Sequence, residues 1–130
     1  MSDFSIAAHV PPEILVVIVN YNGGELLARA AVAMECQTLT EYHLIVVDNA
    51  SSDDSIAALR GSHPDTEVLL VGANLGFAAA NNLAVQRFRR SRQIALLNRH
   101  VFPEPDWLRT LVDMIRAGPN VAALMHWTLA

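Results

Sequence analysis

Five short, nearly continuous apolar runs alternate along the chain with stretches whose apolar residues recur every three or four positions. Ile14 to Val19 is the clearest run, and a strand buried on both faces reads this way. Tyr42 to Val47, Glu67 to Val71 and Ile94 to Leu97 repeat it, and Val121 to Met125 is a fifth. Helical spacing fills the intervals. From Glu25 to Cys36, Leu26, Ala30 and Met34 form a stripe with Leu27 and Ala31 beside it. Ser55 to Leu59 predicts a short helix closed by Arg60 and Gly61. Phe77 to Phe88 predicts a helix rich in small residues, with Arg87, Arg89 and Arg90 at the end where cations suit the dipole. Asp106 to Arg116 predicts an amphipathic helix stopped by Gly118-Pro119. Met1 to Pro12 reads as a flexible lead-in, with Pro11-Pro12 a stiff stop before the first strand. The alternation predicts an α/β class: a Rossmann-like, mostly parallel sheet with helices on both faces and right-handed crossovers. It fits one domain over 13–130.

Each predicted strand ends in a polar loop, and a parallel sheet gathers those loops on one edge, where ligands bind. The loops are Asn20-Tyr21-Asn22-Gly23-Gly24, Asp48-Asn49-Ala50-Ser51-Ser52-Asp53, Gly72-Ala73-Asn74-Leu75-Gly76 and Asn98-Arg99-His100. Asp48 stands where a ligand-reading acid would sit. It would equally well open a turn. Ser51 and Asp54 have the spacing of a capping box for the next helix. Asn81 and Asn82 are as suited to holding loop backbone as to touching a ligand.

Composition narrows the chemistry. With 130 residues, 52% of them hydrophobic, the chain can bury a real core. Thirteen acids against nine bases, a formal charge of −4, argue against a general nucleic-acid surface. Every base is Arg, so a Walker-type phosphate loop, which needs Lys, is excluded. The lone Cys36 excludes an internal disulfide framework and a Cys-rich zinc site. Its helical context predicts a small core residue. No apolar run approaches a membrane span of roughly 20 residues, and the N-terminus has no secretory pattern. The expectation is a cytoplasmic protein, peripheral at most to the inner face of the membrane.

Taken together, Asn20-Tyr21-Asn22, Val47-Asp48-Asn49-Ala50-Ser51-Ser52-Asp53, Asn74-Leu75-Gly76-Phe77-Ala78 with Asn81-Asn82, Leu96-Leu97-Asn98, and Phe102-Pro103-Glu104-Pro105-Asp106-Trp107-Leu108 form an ordered set. In this order and spacing they resemble the nucleotide-sugar-binding half of family 2 glycosyltransferases, nearest to the rhamnosyltransferase-like subgroup. The likeness covers about residues 13 to 125. It implies a GT-A fold. It also implies a donor site built from Asn20, Tyr21, Asn22, Asp48, Asn49, Asn74, Gly76, Asn98 and Arg99. Tyr21 would lie by the base or ribose, where its ring can stack. Asp48 would accept from a nucleobase imide N–H, which favours uridine or thymidine. Asn74, Gly76 and the following helix start would shape the ribose and diphosphate region.

Two departures from the family pattern stand out. The fourth strand of the family ends in an acidic motif whose last Asp binds a divalent metal, manganese or magnesium, bridging the donor diphosphate. Here His100 holds that place. Imidazole serves manganese or zinc but brings no negative charge. Arg99 offers an alternative, since its guanidinium fork matches phosphate oxygens directly. Glu104 and Asp106 suit a helix start instead. The second departure is the end of the chain. In the family a later half carries the acceptor site and the general base, and none of the 13 acids here matches that base.

The sequence therefore predicts the donor-binding portion of a glycosyltransferase moving a sugar from a nucleoside-diphosphate sugar to an acceptor hydroxyl, in cell-surface polysaccharide synthesis. This portion alone is expected to have little or no activity. The alternative is a non-catalytic nucleotide-binding or dimerisation module on the same scaffold, pairing as a homodimer through the C-terminal apolar edge around Trp127 and Leu129. A nucleotidyltransferase of related fold is weaker, because Asn20 to Glu25 lacks the glycine-rich loop with a nearby basic residue.

Overall fold

The computed structural model describes residues 13–88, 91–98 and 102–118. Four strands alternate with four helices: β1 (Ile14–Asn20), α1 (Glu25–Glu35), β2 (His43–Asp48), α2 (Ser55–Ser62), β3 (Glu67–Leu70), α3 (Phe77–Arg87), β4 (Gln93–Asn98) and α4 (Trp107–Ala117). The strands form one parallel sheet in the order β3-β2-β1-β4. The chain builds outward from β1 to β3, then returns across the sheet to β4. The fold class expected from the sequence is thus the one observed. The fifth apolar run, Arg89 and Arg90, and the C-terminal edge expected to dimerise lie outside the described residues.

Strand β1 is buried along its whole length because it has a strand on either side and helices on both faces. Alternate residues serve opposite faces. Val16 and Ile18 join Leu27, Ala30 and Met34 of α1, Leu59 of α2, and Trp107, Leu108 and Val112 of α4. Leu15, Val17 and Val19 join Ile45, Val47 and the small Ala80 and Ala84 of α3. Two methyl-sized side chains let α3 lie close on the sheet. The outward and return crossovers use opposite faces, as right-handed connections require.

Helix α3 covers β1 and β2 but leaves β4 bare on its side. Ile94 and Leu96, opposite Leu15 and Val17 in register, are 41% and 48% exposed. On the other side of the sheet, the turn after α1 grips the start of α4. Buried Gln37 donates to Glu104 O at 2.7 Å and accepts from Leu108 N–H at 3.0 Å. Thr38 adds bonds to Pro105 O and to the Asp106 carboxylate. The Arg29 guanidinium lies 4.4 Å over the Phe102 ring. Residues 102–108 are therefore held in place from α1.

Three local expectations change. Cys36 is exposed, not core. The buried stripe of α1 runs Leu27, Ala30, Ala31 and Met34, and two further residues turn Cys36 away from it. Gly61 does not end α2, which continues to Ser62. The capping box does not form either. Asp54 occupies the N-cap position without a side-chain cap bond, while the Ser51 hydroxyl is engaged elsewhere.

Ala50, at the exposed crest of the loop after β2, has φ of 62°. A Cβ in this left-handed region costs about 1–2 kcal/mol, and glycine's extra chain entropy offsets part of that. Ala50→Gly should therefore stabilise the fold by about 0.5–1 kcal/mol, raising the melting temperature by roughly 2–4 °C. Thermal unfolding followed by circular dichroism checks it, and an unchanged or lower midpoint would contradict it.

Candidate functional site

The end of β1 and the end of β2 lie side by side, Asn20 opposite Asp48. Both side chains point to the α1–α2 face. The Asn20 amide, fully buried, donates to Asp48 Oδ1 at 3.0 Å, to Ser51 Oγ at 3.1 Å and to Ser55 Oγ at 2.9 Å. Two amide hydrogens thus serve three acceptors, one of them shared. Asp48 also takes the Ser51 hydroxyl at 2.6 Å and the Ser51 N–H at 3.1 Å. A buried carboxylate is tolerable only with such donors around it. Asp48 therefore pins the loop that follows it, and the ring of donors turns its carboxylate inward.

Asn22 completes the join. Its φ of 50° is one that Asn accommodates. Its Oδ1 accepts from the N–H groups of Ser52 and Asp53 at 2.8 and 3.3 Å, and its own N–H donates to Ser51 Oγ at 2.9 Å. Asp53 reaches back to Gly24 N–H at 2.9 Å. The first two polar loops are in effect one stitched unit.

The other face of the same strand ends is open. A cleft of about 180 Å3 is lined by Val19, Tyr21, Asn49, Asn74, Gly76, Phe77 and Asn98. It lies outside the carboxyl ends of β1, β2 and β4, where the strand order doubles back, as ligand clefts in open α/β sheets do. Of the residues singled out in the sequence, Tyr21, Asn49, Asn74, Gly76 and Asn98 come together here. Asn20 and Asp48 lie beneath, on the opposite face, and Asn22 belongs to the stitched loops. Asn81 is buried and bonds Phe77 O from within α3. Arg99 and His100 lie outside the described residues. Val19 and Phe77 line the cleft without having been singled out. The period-two alternation of β1 and β2 would have separated Asn49 from Asp48.

The cleft is polar, aromatic and held in shape. Tyr21 is 41% exposed, so its ring is available for stacking. Asn74 Oδ1 accepts from Gly76 N–H at 3.1 Å. Gly76, with φ of 85°, precedes the first turn of α3, whose N–H groups have no partner within the helix. A larger hollow of about 460 Å3 opens at the opposite sheet edge beside Tyr42, His43 and Thr66. Glu35, Asp65 and Glu67 ring it, which disfavours a phosphate ligand there. Among the described residues no group of three or more His, Cys, Asp or Glu could hold a metal ion.

Asp53 carries a pH consequence. Hydrogen bonds from the Ser55 hydroxyl and from backbone N–H groups, Gly24 among them, hold its carboxyl below the usual carboxylate range. A pKa lowered by folding adds stability above the unfolded value and loses it as pH falls through the folded value. Asp53→Asn should therefore flatten the acid limb, losing less melting temperature than the parent from about pH 6 to about pH 3. Parallel acid limbs in thermal scans would refute this.

A model of glycosyl transferase family 2 matches residues 15–129. Among curated relatives, the chain is 28% identical over 116 residues to chondroitin synthase from Escherichia coli, covering 87% of this chain and 17% of that protein. It is 30% identical over 114 residues to the succinoglycan biosynthesis protein ExoO of Rhizobium meliloti, covering 85% and 32%. Two solved structures share the fold. One is the mannosyltransferase PcManGT from Pyrobaculum calidifontis in complex with GDP-Man and Mn2+ (TM-score 0.68, 23% identity, 87% of this chain, 34% of that one). The other is TarS of S. aureus in complex with UDP (TM-score 0.68, 16% identity, 80% and 32%). The fold is that of GT-A glycosyltransferases, and the chain spans about a third or less of most of these proteins. With its four-stranded parallel sheet and this match over nearly its whole length, the chain belongs to glycosyl transferase family 2.

Proposed function

We propose that the chain is the donor-binding part of a glycosyltransferase that takes a nucleoside-diphosphate sugar. The observation that carries this is the cleft at the carboxyl ends of β1, β2 and β4. Tyr21, Asn49, Asn74 and Asn98 surround it, and the α3 N-terminus opens into it. In this reading Tyr21 stacks on the base or ribose. The α3 N-terminus and Asn74 face the diphosphate, where free N–H groups favour an anion. Asp48 and Asn20 support the site from below. The complete reaction would be attack of an acceptor hydroxyl on the anomeric carbon, with a general base taking the hydroxyl proton and the nucleoside diphosphate leaving.

A uridine or thymidine donor is the preferred substrate class, supported by the motif likeness and by the UDP held in TarS. The rhamnosyltransferase-like subgroup rests on motif likeness alone. The names of the chondroitin and succinoglycan relatives support polysaccharide synthesis; a cytoplasmic site is expected from the sequence alone. No described helix is long and apolar enough to cross a membrane.

The family's divalent metal fits this sequence poorly. The end of β4 offers an amide at Asn98, then a guanidinium and an imidazole at Arg99 and His100. None is a carboxylate, and magnesium demands hard oxygen ligands. Our reading therefore assigns the diphosphate to backbone N–H groups and to Arg99, with no step through a metal.

A second reading, a non-catalytic module that dimerises, is favoured by the bare Ile94 and Leu96 on β4. Light scattering at rising concentration tests it: a stable dimer dissociated by Leu96→Asp supports it, and a monomer throughout rejects it.

Calorimetric titration with UDP, dTDP and GDP, with and without manganese, tests the donor reading. Binding of UDP or dTDP without metal is expected. Tyr21→Ala should weaken it by about tenfold, the scale of base–aromatic stacking. No binding of any of the three nucleotides would reject the donor reading. Binding that requires manganese would reject the metal-independent assignment.

A further inference from the structure

Asn49 borders the cleft, yet both ends of its side-chain amide are already occupied. Its Nδ2 donates to Gly76 O at 3.1 Å, and its Oδ1 accepts from Leu75 N–H at 3.4 Å. Its backbone N–H donates to Asn20 O at 2.9 Å. One residue therefore ties the end of β1, the end of β2 and the loop before α3, and it is almost completely buried while doing so. The loop it holds contributes Asn74, Gly76 and Phe77 to the cleft wall.

The held loop has few other restraints. It is exposed from Gly72 to Phe77, and its Gly72 and Gly76 sit at φ of 84° and 85°. Among the described residues, Asn74 bonds within the loop, accepting from Gly76 N–H. Glycines in this region of backbone space are free to leave it, so the loop's position depends on what grips it from outside. Among the described residues, Asn49 provides that grip by side chain. An amide suits the task because it donates to one peptide and accepts from the next. A carboxylate in its place would set an oxygen against Gly76 O.

We propose that Asn49 is a positioning residue, acting through Leu75 and Gly76 to set the wall of the cleft that faces the donor diphosphate, and that it does not read the base. The inference rests on the donor-site reading above. It separates the two halves of the ligand. Loss of the latch should leave contacts to the nucleoside intact and remove the gain that the diphosphate adds.

The test compares uridine with UDP, and guanosine with GDP, by titration calorimetry on the chain and on Asn49→Asp and Asn49→Ala, with thermal unfolding in parallel. Both variants are expected to bind the preferred nucleoside within about twofold of the parent. The diphosphate's advantage over the nucleoside should fall by about tenfold, the worth of one charge-assisted hydrogen bond. Asn49→Asp sharpens the test, because a base-reading residue and a latch predict opposite results. Uridine and UDP tightening together in Asn49→Asp, with both weakening in Asn49→Ala, would assign Asn49 to the base and overturn the proposal. Equal losses for nucleoside and nucleotide, tracking a lowered melting temperature, would mark a purely structural residue and also overturn it. A parent chain that binds none of the four ligands would remove the donor reading itself. Parent binding with an unmoved diphosphate advantage in both variants would reject only the latch.

Discussion

The side-chain amide of Asn20 is the contact on which the site's architecture depends. It sits at the last position of the central strand, without solvent, and reaches a carboxylate and two hydroxyls contributed by the next strand, the next loop and the next helix. A buried polar group left without partners costs roughly 1–3 kcal/mol. Removing one partner therefore exposes the others to that cost. Once formed, the network fixes the separation of the two strand ends and the path of the loop from Ala50 to Asp54. It also explains the strained backbone at Ala50. The chain must turn sharply there to bring Ser51 back under Asp48, and the hydrogen bonds outweigh the strain.

The same strand ends present different surfaces on their two faces. On the α1–α2 face, Asn20 and Asp48 bond each other and Ser51 and so hold the loops together. On the α3 face, Val19 and Asn49 face a cleft closed by Asn74, Gly76 and Phe77. A parallel register with period-two alternation produces this division of labour. Asn20 and Asp48 are paired in the ladder, so both point the same way, and their neighbours Val19 and Asn49 point the other. A carboxylate that stabilises loops from below and an amide that latches the cleft wall above can thus occupy adjacent positions without competing.

The clamp from α1 lies on the opposite face of the sheet from the cleft. Gln37 and Thr38 were unremarked in the sequence, because a polar pair after a helix usually reads as solvated turn. Burial changes its meaning. Gln37 satisfies one carbonyl and one N–H of the α4 start, and Thr38 meets Pro105 and Asp106 between them. These groups would otherwise be exposed peptide at a helix terminus. Together with Arg29 over Phe102, they place the return from β4 against the same helix that follows β1.

Apolar runs of strand length, and helical stripes between them, were enough to determine the element order and the parallel α/β class. Both depend on periodicity, which is a local property. The ordered loop motifs were likewise enough to place the chain in its family, and they put Tyr21, Asn49, Asn74, Gly76 and Asn98 on one sheet edge. What the sequence alone left open was which loop residues face a ligand and which face each other. Asp48 was the most conspicuous acid in the chain, and Asn20 across the ladder together with Ser51 of its own loop supplies the donors that bury it. Cys36 lay within a helical pattern, but the angular phase of α1 carries it to solvent. Ser51 had the spacing of a cap, but the hydroxyl found Asp48 and Asn20 first. Cys36 is placed by the phase of its own helix against the sheet, whereas Asp48 and Ser51 also depend on Asn20, 28 and 31 residues away, which only strand pairing brings within hydrogen-bonding distance.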